Sequence, residues 1–415
     1  MMETALGVLV VAIAGLLMGS SVWPIKLMRS LQFEHWWFIG MLSGLIIIPW
    51  AISLAVFPHL LQTLSEVPIS VLVLSNLFSI SWGIANILCG LCFVRIGVAL
   101  TMAILTGLGV SVASTMPLIF KGSGLFSNAP DITSPAGLSI LFGIAVMLIG
   151  VALASLAGFG RDQQLKKYEC TSGSFLGGLV MTVIAGVTSA GLILAFVYSQ
   201  DPIVSRVCMV EKNSTITISV DGHKEISGAY QVAADGAIQL TGSKSLGPIV
   251  VGGLSAKSAG DLIAEKLQPK DAETRPAVHV DTHNILAILP VQAVGLLGGA
   301  LLNVLYPAYL LTRHKSWGVL IANGRELALA TVIGMQMCAA VALANKGMLL
   351  LGVLGASVGA GIQQAMQMVG GQGLGFISGE WRGVYGKPRR QMYTAIVFLI
   401  VAAIIMAYSN TLGNE

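Results

Sequence analysis

Ala136-Gly-Leu-Ser-Ile-Leu-Phe-Gly-Ile-Ala-Val-Met-Leu-Ile-Gly-Val-Ala-Leu-Ala-Ser-Leu-Ala-Gly-Phe-Gly160 carries no charged side chain. It is longer than the roughly 20 residues needed to cross a hydrocarbon core about 30 Å thick. Its apolar residues run continuously rather than alternating, so the segment reads as a membrane helix and not as a barrel strand. Gly97 to Phe120 is equally free of charge, and Met41 to Gln62 holds only His59. These runs explain the composition: 55% of the 415 residues are hydrophobic and 10% are charged. A soluble domain carries about 25% charge, so this chain cannot clothe a water-facing surface throughout.

Ten spans follow, at roughly 5–24, 36–57, 70–92, 97–119, 136–158, 174–198, 286–311, 327–344, 348–376 and 391–409. The first is a span rather than a signal peptide, because Glu3 is its only charge and no basic region precedes it. Asn128-Ala-Pro130 and Ser134-Pro135 mark a loop between the fourth and fifth spans. Basic residues concentrate in the odd-numbered loops: Lys26 and Arg29; Arg95; Arg161, Lys166 and Lys167; Arg313, Lys315 and Arg325; Arg382, Lys387, Arg389 and Arg390. The short even-numbered loops hold only Lys121 and Lys346. The positive-inside rule then puts the odd loops in the cytoplasm and both termini outside. A bacterial inner-membrane location, with the lipid bilayer as solvent, is the expectation.

The two halves echo each other. Ile13-Ala-Gly15 matches Ile184-Ala-Gly186, an offset of 171 (184 minus 13). Gly40-Met-Leu-Ser-Gly44 matches Gly295-Leu-Leu-Gly-Gly299, an offset of 255 (295 minus 40), and Gly97 matches Gly347, an offset of 250. The jump places one insertion between the sixth and seventh spans of a five-plus-five repeat. Five is odd, so the second half is inverted, an arrangement common in transporters with a midplane site. The expected fold is an all-α polytopic membrane protein with a small α+β extracytoplasmic domain inserted between helices 6 and 7. Its divisions are 1–200, 201–284 and 285–415. Within the insertion, Thr215-Ile-Thr-Ile-Ser-Val220 and Ala237-Ile-Gln-Leu240 alternate as half-buried strands do. Asp221-Gly222 and Asp235-Gly236 are turn dipeptides. Ser255 is placed to cap a helix over Ala256 to Leu267, and Pro276-Ala-Val-His-Val280 reads as a closing strand.

Several segments resemble the L-rhamnose–proton symporter family within the drug/metabolite transporter superfamily, over about four-fifths of the chain. They are Pro24-Ile-Lys26 with Glu34 and Trp37; Pro49-Trp-Ala-Ile52; Trp82-Gly-Ile-Ala-Asn86; Ser189-Ala-Gly191; Gly298-Gly-Ala-Leu-Leu-Asn303; Gln336; Glu380-Trp381; and Arg389-Arg390. The resemblance implies transport of a small sugar together with a proton. The insertion is similar to something else, the polysaccharide-export or SLBB-type β-grasp modules. The matching run is Ile218-Ser-Val220, Ser227-Gly-Ala-Tyr230, Asp235-Gly236, Leu246-Gly247 and Gly253-Leu254-Ser255. That likeness implies a glycan or protein partner outside the cytoplasm.

A sugar site needs side-chain donors and acceptors beside a flat apolar face. Trp82 offers the face and Asn86, one helical turn on, an amide. Adding 250 to 86 gives Gln336, and Asn303 is a third amide within a span. Gln363 and Gln367 share a face at i, i+4. The competing reading of these amides is helix-to-helix glue. Glu34 and His35, which open the second span, are the proton-coupling candidates; a structural ion pair with Lys26 or Arg29 is their alternative. A second reading makes the helices a membrane scaffold or sensor for an envelope polysaccharide export system. No catalytic set, metal-ligand cluster or phosphate loop is legible, and no cofactor is expected. Cys89-Gly-Leu-Cys92 lies inside an apolar span and reads as helix packing. A net charge of +4 confined to membrane loops does not point to nucleic acid.

Overall fold

The computed structural model describes residues 2–119, 131–165, 175–220, 223, 225–240, 247–267, 276–282, 284–351 and 355–412. Lys121, the loop Asn128-Ala-Pro130, Lys166, Lys167, the Asp221-Gly222 turn and Leu246 lie outside them. The helices are α1 (Met2–Ser20), α2 (Phe33–Met41), α3 (Ile48–Val56), α4 (Leu60–Ser65), α5 (Ile69–Ile96), α6 (Val98–Ile119), α7 (Pro135–Gln164), α8 (Phe175–Ser189) and α9 (Gly191–Val207). They continue with α10 (Ala256–Leu267), α11 (Ile288–Gly295), α12 (Leu297–Arg313), α13 (Trp317–Ala322), α14 (Gly324–Leu350), α15 (Gly355–Ile377) and α16 (Lys387–Leu412). The strands are β1 (Thr215–Val220), β2 (Gly228–Gln231), β3 (Ala237–Ile238), β4 (Ile249–Val250) and β5 (Val278–Asp281).

Seven helical segments among the described residues are long and apolar enough to cross a membrane, and eight if the bent pair Ile288–Gly295 and Leu297–Arg313 counts as one. The ten-span expectation exceeds this for two reasons. The helix at 98–119 contributes only the apolar stretch Leu100–Met116 among the described residues, which is shorter than a full span. The helix at 355–377 is diluted by Gln363, Gln364, Gln367 and Gln372 and by its glycines.

The chain divides into two compact units: Met1–Pro49 with Leu74–Tyr198 and Gln292–Glu415, and Trp50–Val73 with Ser199–Val291. In the first, Ser134 caps α7 by accepting a 3.0 Å bond from the Gly137 N–H, and Pro135 occupies the first turn, where its missing N–H costs nothing. Ile140, Ile144, Met147 and Val151 then form a buried stripe at helical spacing, packed in one cluster with Leu399 and Met406 of α16.

Two neighbouring helix breaks shape this unit. Between α11 and α12 the chain turns by 57° at Leu296. Between α8 and α9 it is interrupted at Ala190. Both are stitched by α5. Asn76 Nδ2 donates to the Val294 carbonyl (3.0 Å), and Asn76 Oδ1 accepts from the Gly298 N–H (2.7 Å). Ser79 Oγ donates to the Leu296 carbonyl (2.8 Å) and accepts from the Gly299 N–H (2.9 Å). Ser81 Oγ donates to the Phe78 carbonyl (2.7 Å) and reaches the Thr188 carbonyl at 3.2 Å. Broken helices persist at membrane depth only where such partners replace the lost ladder bonds.

In the second unit β1 is the centre of a three-stranded antiparallel sheet, order β2-β1-β5, while β3 pairs with β4. Ile218 lies opposite Gly228 on one side and Val280 on the other. Ile216, Ile218 and Val220 point inward at strand period and join Tyr230, Val232, Ile238, Ile249 and Val251. Ala259 and Ile263 of α10 close this core. The Ser255 hydroxyl accepts from the Ser258 N–H at 3.1 Å, capping α10. At the Asp235-Gly236 turn the Asp235 carboxylate accepts from the Ala237 N–H (2.9 Å) and Gly236 takes φ +87°. Phe57 belongs to the same unit and packs with Cys208, Ala256 and Ala287, so the compact unit takes in Trp50–Val73 besides the residues after Ser199.

The stitching by α5 gives the first expected outcome. Ser79→Ala should lower the melting temperature of the detergent-purified protein by an amount equivalent to about 1–3 kcal/mol, because it strands one carbonyl and one N–H. Ser53→Ala removes a fully buried hydroxyl with no hydrogen-bond partner and should be neutral. Equal effects of the two would refute the stitching role.

Candidate functional site

The six expected sugar-site residues do not converge. Trp82 is almost wholly buried, in a cluster with Met41, Leu45, Ala300 and Val304. Asn86 Nδ2 donates to Asn303 Oδ1 at 3.0 Å, and Asn303 Nδ2 donates to the Gly299 carbonyl at 2.9 Å. These two amides tie α5 to α12. Gln336 bonds to other partners: its Nε2 donates to the Leu17 carbonyl (2.9 Å) and to Ser20 Oγ (3.1 Å), and its Oε1 accepts from Trp23 Nε1 (3.0 Å). It fastens α14 to α1. Gln367 is part-exposed on α15, where the Gly19 backbone of α1 lies hard against its own. Gln363 is buried and lines a cavity.

That cavity lies among Leu192, Ile193, Phe196, Leu296, Val341, Ala344, Asn345 and Gln363. It is narrow, admitting a water molecule but no sugar ring as it stands. Its position follows from the helix breaks: Leu296 is the residue at which α11 turns into α12, and Leu192 and Ile193 open α9 just after Ala190. Ala344 and Asn345 lie late in α14, and Gln363 lies in the third turn of α15. The wall is apolar except for the Asn345 and Gln363 amides, and Asn345 falls one residue past the expected 327–344 span. A polar residue beside Lys346 reads as loop in the sequence, which is why sequence reasoning missed it. Gln292, fully buried beside the Cys338 thiol, is a second amide it missed.

The acids gather at the ends of helices that border odd-numbered loops. Glu34 Oε1 lies 3.0 Å from His314 Nδ1 rather than against Lys26 or Arg29, and its side chain is nearly buried while that of His314 is half-exposed. His35 is buried with both ring nitrogens engaged: Nδ1 accepts from the Gln32 N–H (3.2 Å) and Nε2 faces the Ser316 carbonyl (3.3 Å). Glu326 accepts from the backbone N–H groups of Arg29, Ser30 and Leu31 at 2.9–3.2 Å. Glu380 is paired with Lys26 and, at 3.2 Å, with Arg161. The Arg161 guanidinium also lies 5.5 Å from the Trp381 ring, which stacks on Phe376. Loops one, five, seven and nine of the sequence numbering therefore meet at one end of this unit. No metal-binding cluster occurs among the described residues. The Cys89 and Cys92 thiols are free, and Cys92 donates to the Gly178 carbonyl.

Apolar helices of this number, with breaks repaired by side chains and a polar pair in an otherwise apolar cavity, define a multi-pass integral membrane protein. The chain belongs to the L-rhamnose-proton symport protein family, whose description matches residues 3–220. It is 30% identical over 172 residues to an L-rhamnose-proton symporter of Yersinia pestis bv. Antiqua (strain Antiqua), covering 41% of this chain and 49% of the relative. The L-rhamnose-proton symporter of Yersinia pseudotuberculosis serotype O:1b (strain IP 31758) is also 30% identical over 172 residues, covering 41% of this chain and 48% of the relative. The chain thus spans about half the length of the curated relatives it matches. No solved structure matches it.

The bond between Asn86 and Asn303 separates glue from binding. A cycle of Asn86→Ala, Asn303→Ala and the double variant should give a coupling near 0.6 kcal/mol in unfolding stability, and at most about 1.7. Zero coupling with uptake lost in each single variant would instead make the two amides ligand-binding groups.

Proposed function

We propose that the protein is a secondary transporter that carries L-rhamnose or a related deoxyhexose with a proton by alternating access, and that it is not an enzyme. The observation that carries this reading is a cavity with two amides at paired helix breaks, in a chain of this family. Transporter sites form where discontinuous helices free backbone and side-chain groups near the midplane. Admitting a sugar requires α14 and α15 to part from α9 and the start of α12, a motion of the kind alternating access supplies.

The reading includes ten spans in an inverted five-plus-five repeat, interrupted by the 201–284 insertion. Reciprocal close approaches support it. A β-carbon added to Gly15 would lie 2.5 Å from the Gln363 carbonyl oxygen, and one at Gly186 2.8 Å from Leu108 Cβ. One at Gly7 would lie 3.0 Å from Leu350 Cβ, and one at Gly178 3.1 Å from Arg95 Cβ. One at Gly44 would lie 2.8 Å from the Gly334 carbonyl carbon, and one at Gly299 2.8 Å from that of Ser79. In the first two pairs, the first-helix glycines differ by 171 (186 minus 15, 178 minus 7) and their partners by 255 (363 minus 108, 350 minus 95). In the third, both differences are 255 (299 minus 44, 334 minus 79). An inverted pair of halves generates such exchanged contacts. The register is 255, so Gln336 corresponds to Ser81 and Asn86 to Val341, rather than to each other at 250.

Membership of the drug/metabolite transporter superfamily, odd-numbered loops in the cytoplasm, and both termini and the insertion in the periplasm complete the proposal. The meeting of odd loops around Glu34, Glu326 and Glu380 supports their lying on one side. Glu34 with His314 is the favoured proton-coupling pair, since His35 is held at both nitrogens by its own loop and Ser316. The insertion's likeness to polysaccharide-export modules favours a second reading, a scaffold or sensor that binds an external glycan or protein.

Uptake of radiolabelled L-rhamnose into proteoliposomes is expected to rise several-fold under an imposed inward proton gradient and to fall in Glu34→Gln. Uptake indifferent to the gradient would leave facilitated diffusion of the sugar. Absence of uptake for rhamnose and its deoxyhexose relatives would sink the transporter reading in favour of the scaffold.

A further inference from the structure

We infer that the Asn345 side-chain amide donates a hydrogen bond to a hydroxyl oxygen of the transported sugar, a role that rests on the transport reading. Asn345 is 6% exposed, and its Nδ2 is buried with no hydrogen-bond partner. A buried amide N–H left in this state destabilises the fold. Of the other lining residues, Leu192, Ile193, Phe196, Leu296, Val341 and Ala344 have no side-chain acceptor, and the Gln363 amide oxygen makes no hydrogen bond to it.

The backbone acceptors that the helix breaks expose nearby are already taken. The Val294 carbonyl is bonded by Asn76, the Leu296 carbonyl by Ser79 and the Thr188 carbonyl by Ser81. Asn345, with its unpaired donor, and Gln363 are thus the two polar residues that line an otherwise apolar cavity. A sugar hydroxyl supplies the missing acceptor, and the ring's C–H faces match the aliphatic wall. The Asn345 amide then discriminates at this position: a ligand lacking an oxygen there leaves the N–H unpaired.

The test uses the full chain, first in detergent and then in proteoliposomes, with L-rhamnose as the probe. Asn345→Leu should melt at or above the wild-type temperature without sugar, because an unsatisfied donor has been replaced by an apolar group. It should also need about tenfold more L-rhamnose for half-maximal uptake, and lose the sugar-induced rise in melting temperature expected of the wild type. A half-saturating concentration equal to the wild type's overturns the proposal and assigns the amide to a buried water. Lower sugar-free stability in both Asn345→Leu and Asn345→Ala overturns it too, making the residue a packing element. Failure of the wild type itself to take up L-rhamnose is a different result, since it removes the transport reading on which the proposal stands.

Discussion

In a hydrocarbon solvent no backbone N–H or C=O can be left to water, and this constraint governs the first unit. Continuous helices meet it alone. Interrupted ones do not, and this chain interrupts two of them in the same region, at Ala190 and Leu296. Asn76, Ser79 and Ser81 of α5 answer both breaks with hydroxyl and amide groups aimed at the exposed carbonyls and N–H groups. The remaining polar groups then divide into those that close a backbone account and those that do not. Asn303 repeats the pattern one turn later by bonding the Gly299 carbonyl, and Gln336 does so for Leu17.

The same constraint locates the cavity. A break displaces side chains from the regular helical surface, and two breaks facing late α14 and early α15 leave a space no side chain fills. It is small because Phe196, Leu192 and Leu296 lean into it. An apolar gap of this size would stay dry; a gap with two amides does not satisfy itself. The helices around it are held by close glycine approaches, at which backbone meets backbone or Cβ without intervening side chains. Such contacts let helices slide or rock with little repacking, whereas knobs set into holes would resist it.

Much of this was legible in the sequence, for physical reasons that also mark where it stopped. Uncharged length fixed Ala136 to Gly160, because nothing but a span needs that composition. Strand period fixed Thr215 to Val220, and the Ser255 cap and Asp235-Gly236 turn appear in the structure where their local chemistry requires them. The offset of 250 that paired Asn86 with Gln336 rested on a single glycine match, and on the repeat reading the close contacts favour 255. Contacts are what set the register, and one helical residue turns a side chain by about 100°. Whether an amide is glue or a free donor depends on what stands opposite it, which no local pattern encodes. Asn86, Asn303 and Gln336 had partners; Asn345, written off as loop by its neighbour Lys346, did not.

Proton coupling on the transport reading meets the same test. Glu34, Glu326 and Glu380 of the first unit are each held, but by partners of different kinds. Glu326 is bound to three consecutive backbone N–H groups, so it anchors the loop before α2 and cannot leave without unfolding it. Glu380 joins Lys26 to Arg161 at an end where the charges are partly exposed, which makes it a fastening between loops of modest strength. Glu34 combines a nearly buried carboxylate with a half-exposed imidazole 3.0 Å away, rather than with backbone N–H groups or fixed charges. That difference in partners, rather than the mere presence of an acid near a span, is what sets Glu34 apart as the coupling candidate on the transport reading.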